Sequence, residues 1–345
     1  MDAVYPPPVE RGDTVAVVAP SHAAPQGALS RGIERLRSFD LSVEVFDTAT
    51  RTTEWLRANP EARAEDVHRA FEDDAIDGVI AAMGGNSELQ VLPHLDRDLL
   101  AAHPTRFYGA SDNTHLHLYL NDAGLVSFYG AQLFPDLVAD PTMHTYTREH
   151  VTRAFRGTPF GPVAPAPEWT DEYYDIESDM PRSWFESGGW RWHAAAGRDP
   201  FTAPVIGGCL AMLETQLLLD AAYFSREACE GRVLAVETSG ETPEAAMVER
   251  FVRALGERGI LDAIRALVVG KPETPGGSAE ERDRYRRRQR RTIAATVDEY
   301  ADLPVVFDLD FGHAAPVLPL PMGAPMTIDP GARTIRFTPT QPQSR

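Results

Sequence analysis

The sequence predicts an α/β protein whose core is a parallel sheet covered by helices. Three observations carry that prediction. Short apolar runs of strand length alternate with segments of helical spacing as far as Leu120. Those runs break off at Gly84-Gly85 and Ser111, not at hairpin turns, as expected of strands that cross over through helices. After a polar, aromatic stretch the same alternation resumes.

In chain order, Thr14 to Ala19 is an apolar run closed by Pro20-Ser21 and reads as a buried strand. Leu29 to Ser38 has helical spacing, Ser42 to Phe46 is strand-like, and Pro60 to Asp73 is helical. Gly78 to Met83 is an apolar strand ending in Gly84-Gly85. Arg106 to Ala110 is a strand that runs into Ser111-Asp112-Asn113-Thr114 and then an apolar helix through Leu120. From about Thr158 to Pro204 the texture changes to prolines, acids and the rings of Trp169, Tyr173, Tyr174, Trp184, Phe185, Trp190 and Trp192, which reads as a linker or ordered loop. Then come a helix over Leu210 to Leu219, a strand over Val233 to Glu237 and a helix over Ala245 to Glu257. In that helix Val248, Phe251, Val252 and Leu255 form one core-facing stripe. Strands over Ala266 to Gly270 and Val305 to Leu309 complete the pattern. The expected organisation is therefore 1–157, a 158–204 insert, and 205–345.

At 345 residues the chain is long enough for two cores without disulfides or metal. Its start lacks the basic and apolar regions of a signal peptide, and no uncharged run approaches a membrane span, so a cytoplasmic protein is expected. Cys209 and Cys229 form neither a disulfide framework nor a metal or redox spacing. With 51 acidic against 33 basic residues, the net charge of −18 argues against nucleic-acid and anionic-membrane partners. The basic stretch Arg282 to Arg291 reads as a solvated helix face in preference to a phosphate-binding patch.

Catalytic groups in open parallel sheets gather beyond the carboxyl ends of strands, where Gly84-Gly85, Ser111 and Glu237 all fall. A serine hydroxyl needs a nearby base, and the base works best when a carboxylate orients it. Gly109-Ala-Ser111-Asp112 suits a strand-to-helix turn that exposes such a hydroxyl, although Asn113 stands where an α/β-hydrolase elbow would have glycine. Taken singly, these residues leave other readings open: Ser111 as a turn or cap, Glu237 as a strand-end carboxylate in solvent, His313 as a loop histidine. His115 and His117 are nearer in sequence, but lie on the following helix and are expected to point along it or away. No Gly-x-Gly-x-x-Gly turn follows the first strand, and no His-Glu-x-x-His cluster appears, so neither cofactor nor metal is expected.

Taken together, the motifs resemble the LD-carboxypeptidase family of serine peptidases, and within it the branch of the microcin C immunity proteins. The resemblance runs from Gly12-Asp-Thr-Val-Ala-Val-Val-Ala-Pro-Ser21 through Met83-Gly-Gly-Asn86 and Tyr108-Gly-Ala-Ser-Asp-Asn-Thr114. It continues with Gly207-Gly-Cys-Leu210, Leu234-Ala-Val-Glu237, Phe311-Gly-His313 and Leu318-Pro-Leu-Pro-Met-Gly323. It implies a Rossmann-like N-terminal domain and a smaller mixed α/β C-terminal domain, with the site at their junction, commonly in a homodimer. It implies Ser111 as nucleophile, Glu237 as orienting carboxylate, His313 as base and then acid, and an oxyanion hole from N–H groups near Gly85 and Asp112. Two positions depart from the family: Met83 replaces a frequent arginine and Cys209 an asparagine, which bears on how a substrate carboxylate is recognised. The aromatic insert resembles the immunity branch, where a ring stacks on the nucleobase of an aminoacyl nucleotide; Trp184 and Trp190 are the candidates, with packing of the loop as the competing reading. The expected function is hydrolysis of an amide in a small peptide or aminoacyl-nucleotide substrate. The alternatives are cleavage of L,D-muropeptides in wall recycling, and a nucleotide- or peptide-binding sensor without turnover.

Overall fold

The structure is a computed structural model that describes residues 3–157, 161–194, 196–274 and 276–337. The first half supplies β1 (Thr14–Val18), β2 (Ser42–Val45), β3 (Gly78–Ala81), β4 (Arg106–Gly109) and β5 (Ser127–Tyr129). Along the insert lie β6 (Gly161–Val163), β7 (Glu168–Trp169), β8 (Phe185–Glu186) and β9 (Arg191–His193). The remainder carries β10 (Phe201–Cys209), β11 (Val233–Glu237), β12 (Ala266–Gly270), β13 (Val305–Leu309), β14 (Leu320–Met322), β15 (Pro325–Asp329) and β16 (Thr334–Phe337).

Two large sheets result. The first has the order β14-β5-β4-β3-β1-β2, parallel throughout except for β14, which runs antiparallel to β5. Its inner strands read as unbroken apolar runs because helices cover both faces, and every residue of β3 and β4 is buried. The second has the order β6-β16-β15-β10-β11-β12-β13-β9, with β10 to β13 parallel at its centre and antiparallel strands on either side. The fold is thus mixed α/β, with its sheets built around parallel strands, as the alternation of runs predicts. Helix Ala245–Glu257 buries the stripe Val248, Phe251, Val252 and Leu255 against the second sheet's core cluster.

Each half reaches into the other. The insert donates β6 and β9 to opposite edges of the second sheet, so it is woven into that sheet and is more than a connector. Conversely β14, late in the chain, closes the first sheet by pairing Leu320 with Tyr129. At the junction Thr114 Oγ1 accepts the Cys209 N–H at 2.9 Å, and Gln216 meets His115 Nδ1 at 2.7 Å.

The basic stretch divides by helical face. On helix Ala279–Tyr300 the residues Arg282, Arg286 and Arg290 recur every fourth position and turn inward: Arg282 Nε donates to buried Asp171 at 2.7 Å, and Arg290 to buried Asp308 at 2.7 Å. Arg284 and Arg287 face outward, each beside an acid one turn earlier. A solvated face therefore accounts for only part of the stretch. No helix among the described residues is long and apolar enough to cross a membrane.

Candidate active site

Ser111 follows β4 with φ of 61°, a left-handed conformation that is costly for a residue with a side chain. The turn is held by its own groups: Thr114 Oγ1 donates to the Ser111 carbonyl at 2.6 Å, and Asn113 Nδ2 donates to the Ala110 carbonyl at 2.8 Å. Asn113 thus stitches the turn from the side where a glycine would leave space. Gly84 lets the chain pass directly over the elbow, for a Cβ there would lie 2.7 Å from Ser111 Cβ. Its neighbour Gly85 packs against His22, at 2.7 Å from its Nδ1 for a hypothetical Cβ.

The Asp112 side chain has a separate task. Its buried Oδ2 accepts the Ser21 hydroxyl at 2.5 Å, the Ser87 N–H at 2.8 Å and the Glu88 N–H at 2.9 Å. Those three contacts fasten the loop after β1 and the segment after Gly85 to the turn that carries Ser111.

The Ser111 N–H donates to Tyr129 Oη at 2.9 Å, and Tyr129 donates in turn to Glu237 Oε1 at 2.5 Å. Glu237, at the end of β11 and buried, uses Oε2 to accept His313 Nδ1–H at 2.8 Å and the His313 main-chain N–H at 3.3 Å. That bond assigns the proton to Nδ1 and leaves Nε2 as the acceptor of the neutral ring. Gly312, at φ of 102°, makes the turn possible, since a Cβ there would stand 2.6 Å from Glu237 Oε2. Residues 111, 237 and 313 are therefore drawn into one hydrogen-bonded chain through Tyr129. Among the described residues no direct hydrogen bond joins Ser111 Oγ to His313.

Charge follows from these contacts. Burial opposes the His313 cation, but the Glu237 carboxylate, helped by Glu273 and Asp136, outweighs it and raises the imidazole to about 9. For Glu237 burial works against ionisation, and His313 and Tyr129 overcome it, so its carboxyl lies below the ordinary value. Burial, reinforced by Glu237, pushes the Cys209 thiol well above its usual range, which leaves it protonated and unreactive. His117 is held by Ser127 Oγ at 2.7 Å and the Gly109 carbonyl at 2.9 Å, and burial lowers it to about 4. Neither it nor His115 serves Ser111.

A small cavity opens beside His313, walled by Asp136, Asp140, His144, Arg182 and Trp184 among others. Trp184 stacks on His144 with centroids 4.3 Å apart and carries the Arg182 guanidinium over its ring. Trp190 is not among the lining residues: its indole N–H donates to Asp310 Oδ2 at 2.9 Å and its ring packs on the core. Sequence reasoning missed Tyr129, Asp136 and Glu273. Tyr129 ends a parallel strand of the first sheet, but no polar residue interrupts the apolar run there to mark it.

Comparison with known proteins finds one family over both halves of the chain. Residues 15–130 match the LD-carboxypeptidase N-terminal domain and residues 202–328 the LD-carboxypeptidase C-terminal domain. The chain is 25% identical to a probable murein peptide carboxypeptidase of Bacillus subtilis, over 95% of this chain and 92% of that one. It is also 25% identical to the microcin C7 self-immunity protein MccF of Escherichia coli, over 96% and 94%. An MccF-like protein from Streptococcus pneumoniae, solved with AMP, superposes with a TM-score of 0.82 at 25% identity, covering 95% of this chain and 99% of that one. MccF solved with aspartyl sulfamoyl adenosine shares the fold over the full length of both chains, with a TM-score of 0.83 at 23% identity.

Proposed function

This chain belongs to the LD-carboxypeptidase family of serine peptidases, and from that premise we propose that Ser111, His313 and Glu237 hydrolyse the amide of an aminoacyl-nucleotide-like substrate, as in self-immunity against a toxin of the microcin C kind. The observation that carries the reading is the unbroken path from the strained Ser111 turn through Tyr129 and Glu237 to His313.

In the first half-reaction His313 Nε2 takes the Ser111 hydroxyl proton as Oγ attacks the carbonyl carbon. The N–H groups of Gly85 and Asp112 receive the developing oxyanion, and the Asp112 carboxylate keeps them in register by tying down Ser21, Ser87 and Glu88. The C–N bond breaks as His313 returns the proton to the leaving nitrogen. Water, giving its proton to His313, then attacks the acyl-serine; the bond to Oγ breaks as His313 returns the proton to Ser111, and the acid leaves. Glu237 keeps the ring oriented and stabilises its cation, while Tyr129 ties the position of Glu237 to that of Ser111. Trp184 stacks on the base of the leaving group. The same proposal makes the protein a cytoplasmic homodimer without metal or cofactor.

A second reading, removal of the terminal residue from L,D-muropeptides, is favoured by the likeness to the Bacillus subtilis protein. The same chemistry would serve it, but Met83 offers no charge to a substrate carboxylate. Incubating the purified protein with aspartyl sulfamoyl adenosine and with an L,D-muropeptide, and following both by mass spectrometry, separates the two. The expected result is cleavage of the former by the wild type and none by Ser111→Ala. Turnover of the muropeptide alone would replace the first reading by the second, and undiminished turnover by Ser111→Ala would remove the nucleophile.

A further inference from the structure

We propose that the cavity beside His313 holds the free α-ammonium group of the substrate's acyl residue, with the Asp136 carboxylate as its acceptor. The proposal rests on the hydrolase reading above and narrows its substrate class to amides of an amino acid whose own amine is unblocked.

Asp136 shares the cavity wall with His313, and its Oδ2 is buried without a hydrogen-bond partner among the described residues. A buried carboxylate oxygen left without a donor is costly, so a ligand that supplies one gains the cost back in binding. The other basic side chains in that wall are already partnered. Arg182 places its main-chain N–H, Nε and Nη2 on Asp140 at 2.9, 3.1 and 2.9 Å, and His144 meets Glu168 at 3.1 Å. The carboxyls are in excess. Beyond Asp136, burial likewise pushes Glu273 up to about 7, and both lie close enough to His313 to favour its cation. With His313 neutral, as its role as base requires, a pocket with one unpartnered carboxylate oxygen and its arginine already paired accepts an ammonium and repels a carboxylate.

Geometry selects the α-amine. In an aminoacyl amide the ammonium nitrogen is attached to the carbon next to the scissile carbonyl, so its acceptor must stand within a few ångströms of the reacting atoms. Asp136 lines the same space as His313 and stands near enough for its charge to act on that ring, which sets it on the side of the site where the base stands. An acylated amine, as within a peptide chain, carries no charge there and offers Oδ2 a single neutral N–H in place of an ammonium.

The test compares alanyl sulfamoyl adenosine with propionyl sulfamoyl adenosine, which differ only by the amine, on the wild type and on Asp136→Asn. A charge-assisted hydrogen bond of ordinary strength predicts that the wild type prefers the alanyl compound in kcat/KM by about tenfold to a hundredfold. In Asp136→Asn that preference, read as the ratio of the two kcat/KM values at one pH so that any change in His313 acts on both compounds alike, should fall to within about threefold through a raised KM for the alanyl compound, and Asp136→Glu should restore part of it. Equal rates for both compounds on the wild type overturn the proposal and leave the hydrolase reading intact. Equal losses on both compounds in Asp136→Asn make the residue a wall of the cavity and also overturn it. Hydrolysis of neither compound by the wild type removes the hydrolase reading, and the proposal with it.

Discussion

His313 stands among Glu237, Glu273 and Asp136, and that company sets the pH at which it can act. A general base must be neutral, whereas these carboxyls favour the imidazolium and hold it up to about 9. Over the pH range below that value each unit of increase should raise the neutral fraction about tenfold, so kcat/KM should climb from neutral pH into the alkaline range. A pH–rate profile checks this: a limb that levels off near 6.5 would mean that the carboxyls do not act on the ring. Replacing Glu237 by Gln should move the limb downward and lower kcat together. Tyr129 supplies a second residue-scale test. Tyr129→Phe deletes the hydroxyl that accepts from Ser111 N–H and donates to Glu237, one bond being charge-assisted, so kcat should fall about tenfold to a hundredfold with KM within about twofold. An unchanged kcat would make the tyrosine a packing residue. Ser111 and Glu237 were legible because one closely follows and the other ends a strand, where a polar residue interrupts an apolar run. Tyr129 was not, since an aromatic residue in a short apolar strand reads as core, and Asp136 follows no periodic element that would orient it.

At the scale of elements, the insert shows how far composition can go. Its density of rings announces an ordered segment, but β7 and β8 have two residues each and β6 and β9 three, too short for an alternating pattern to declare them. Nor could sequence tell the four tryptophans apart. Trp169 is buried, Trp192 pairs with Val306 across β9 and β13, and Trp190 is tied to Asp310, whereas Trp184 faces the cavity. Two variants should therefore part company. Trp184→Ala should weaken adenine-bearing substrates by about tenfold to a hundredfold in KM with little change in thermal stability, the usual worth of base–ring stacking. Trp190→Phe keeps an aromatic ring but is smaller and removes one of the two donors to Asp310 Oδ2, the other being the Ala166 N–H at 3.0 Å, so it should lower stability by about 1–3 kcal/mol while leaving the preference for adenine in place. Hydrolysis of matched amides with and without the base, together with thermal melts, checks both; a loss of adenine preference in Trp190→Phe would exchange the roles assigned to the two rings.

On the scale of the whole molecule, the candidate site belongs to neither half alone, because Ser111 and Tyr129 come from the first sheet and Glu237 and His313 from the chain of the second. The parallel order of each sheet could be anticipated from apolar runs, but the exchange of strands between halves could not. A three-residue strand such as Leu320-Pro-Met322 has no local mark of the sheet it joins; its place is decided by long-range pairing with β5. That pairing covers what would otherwise be an exposed apolar edge beside Tyr129. The halves should therefore lose their structure together. Leu320 is fully buried and sits opposite Tyr129, so Leu320→Ala removes core volume where the later chain clasps the first sheet, at a cost of about 2–5 kcal/mol. Four of the five tryptophans lie in the insert, which makes fluorescence a probe of that segment, while far-ultraviolet circular dichroism averages over both sheets. If the strands woven across the junction couple the halves, both signals should show one transition with a common midpoint in the wild type, and Leu320→Ala should lower the two midpoints equally. An insert that melts first in the wild type, or a variant that shifts circular dichroism while fluorescence holds its midpoint, would show that the sheets unfold independently. The clasp would then position Tyr129 without tying the stability of one half to the other.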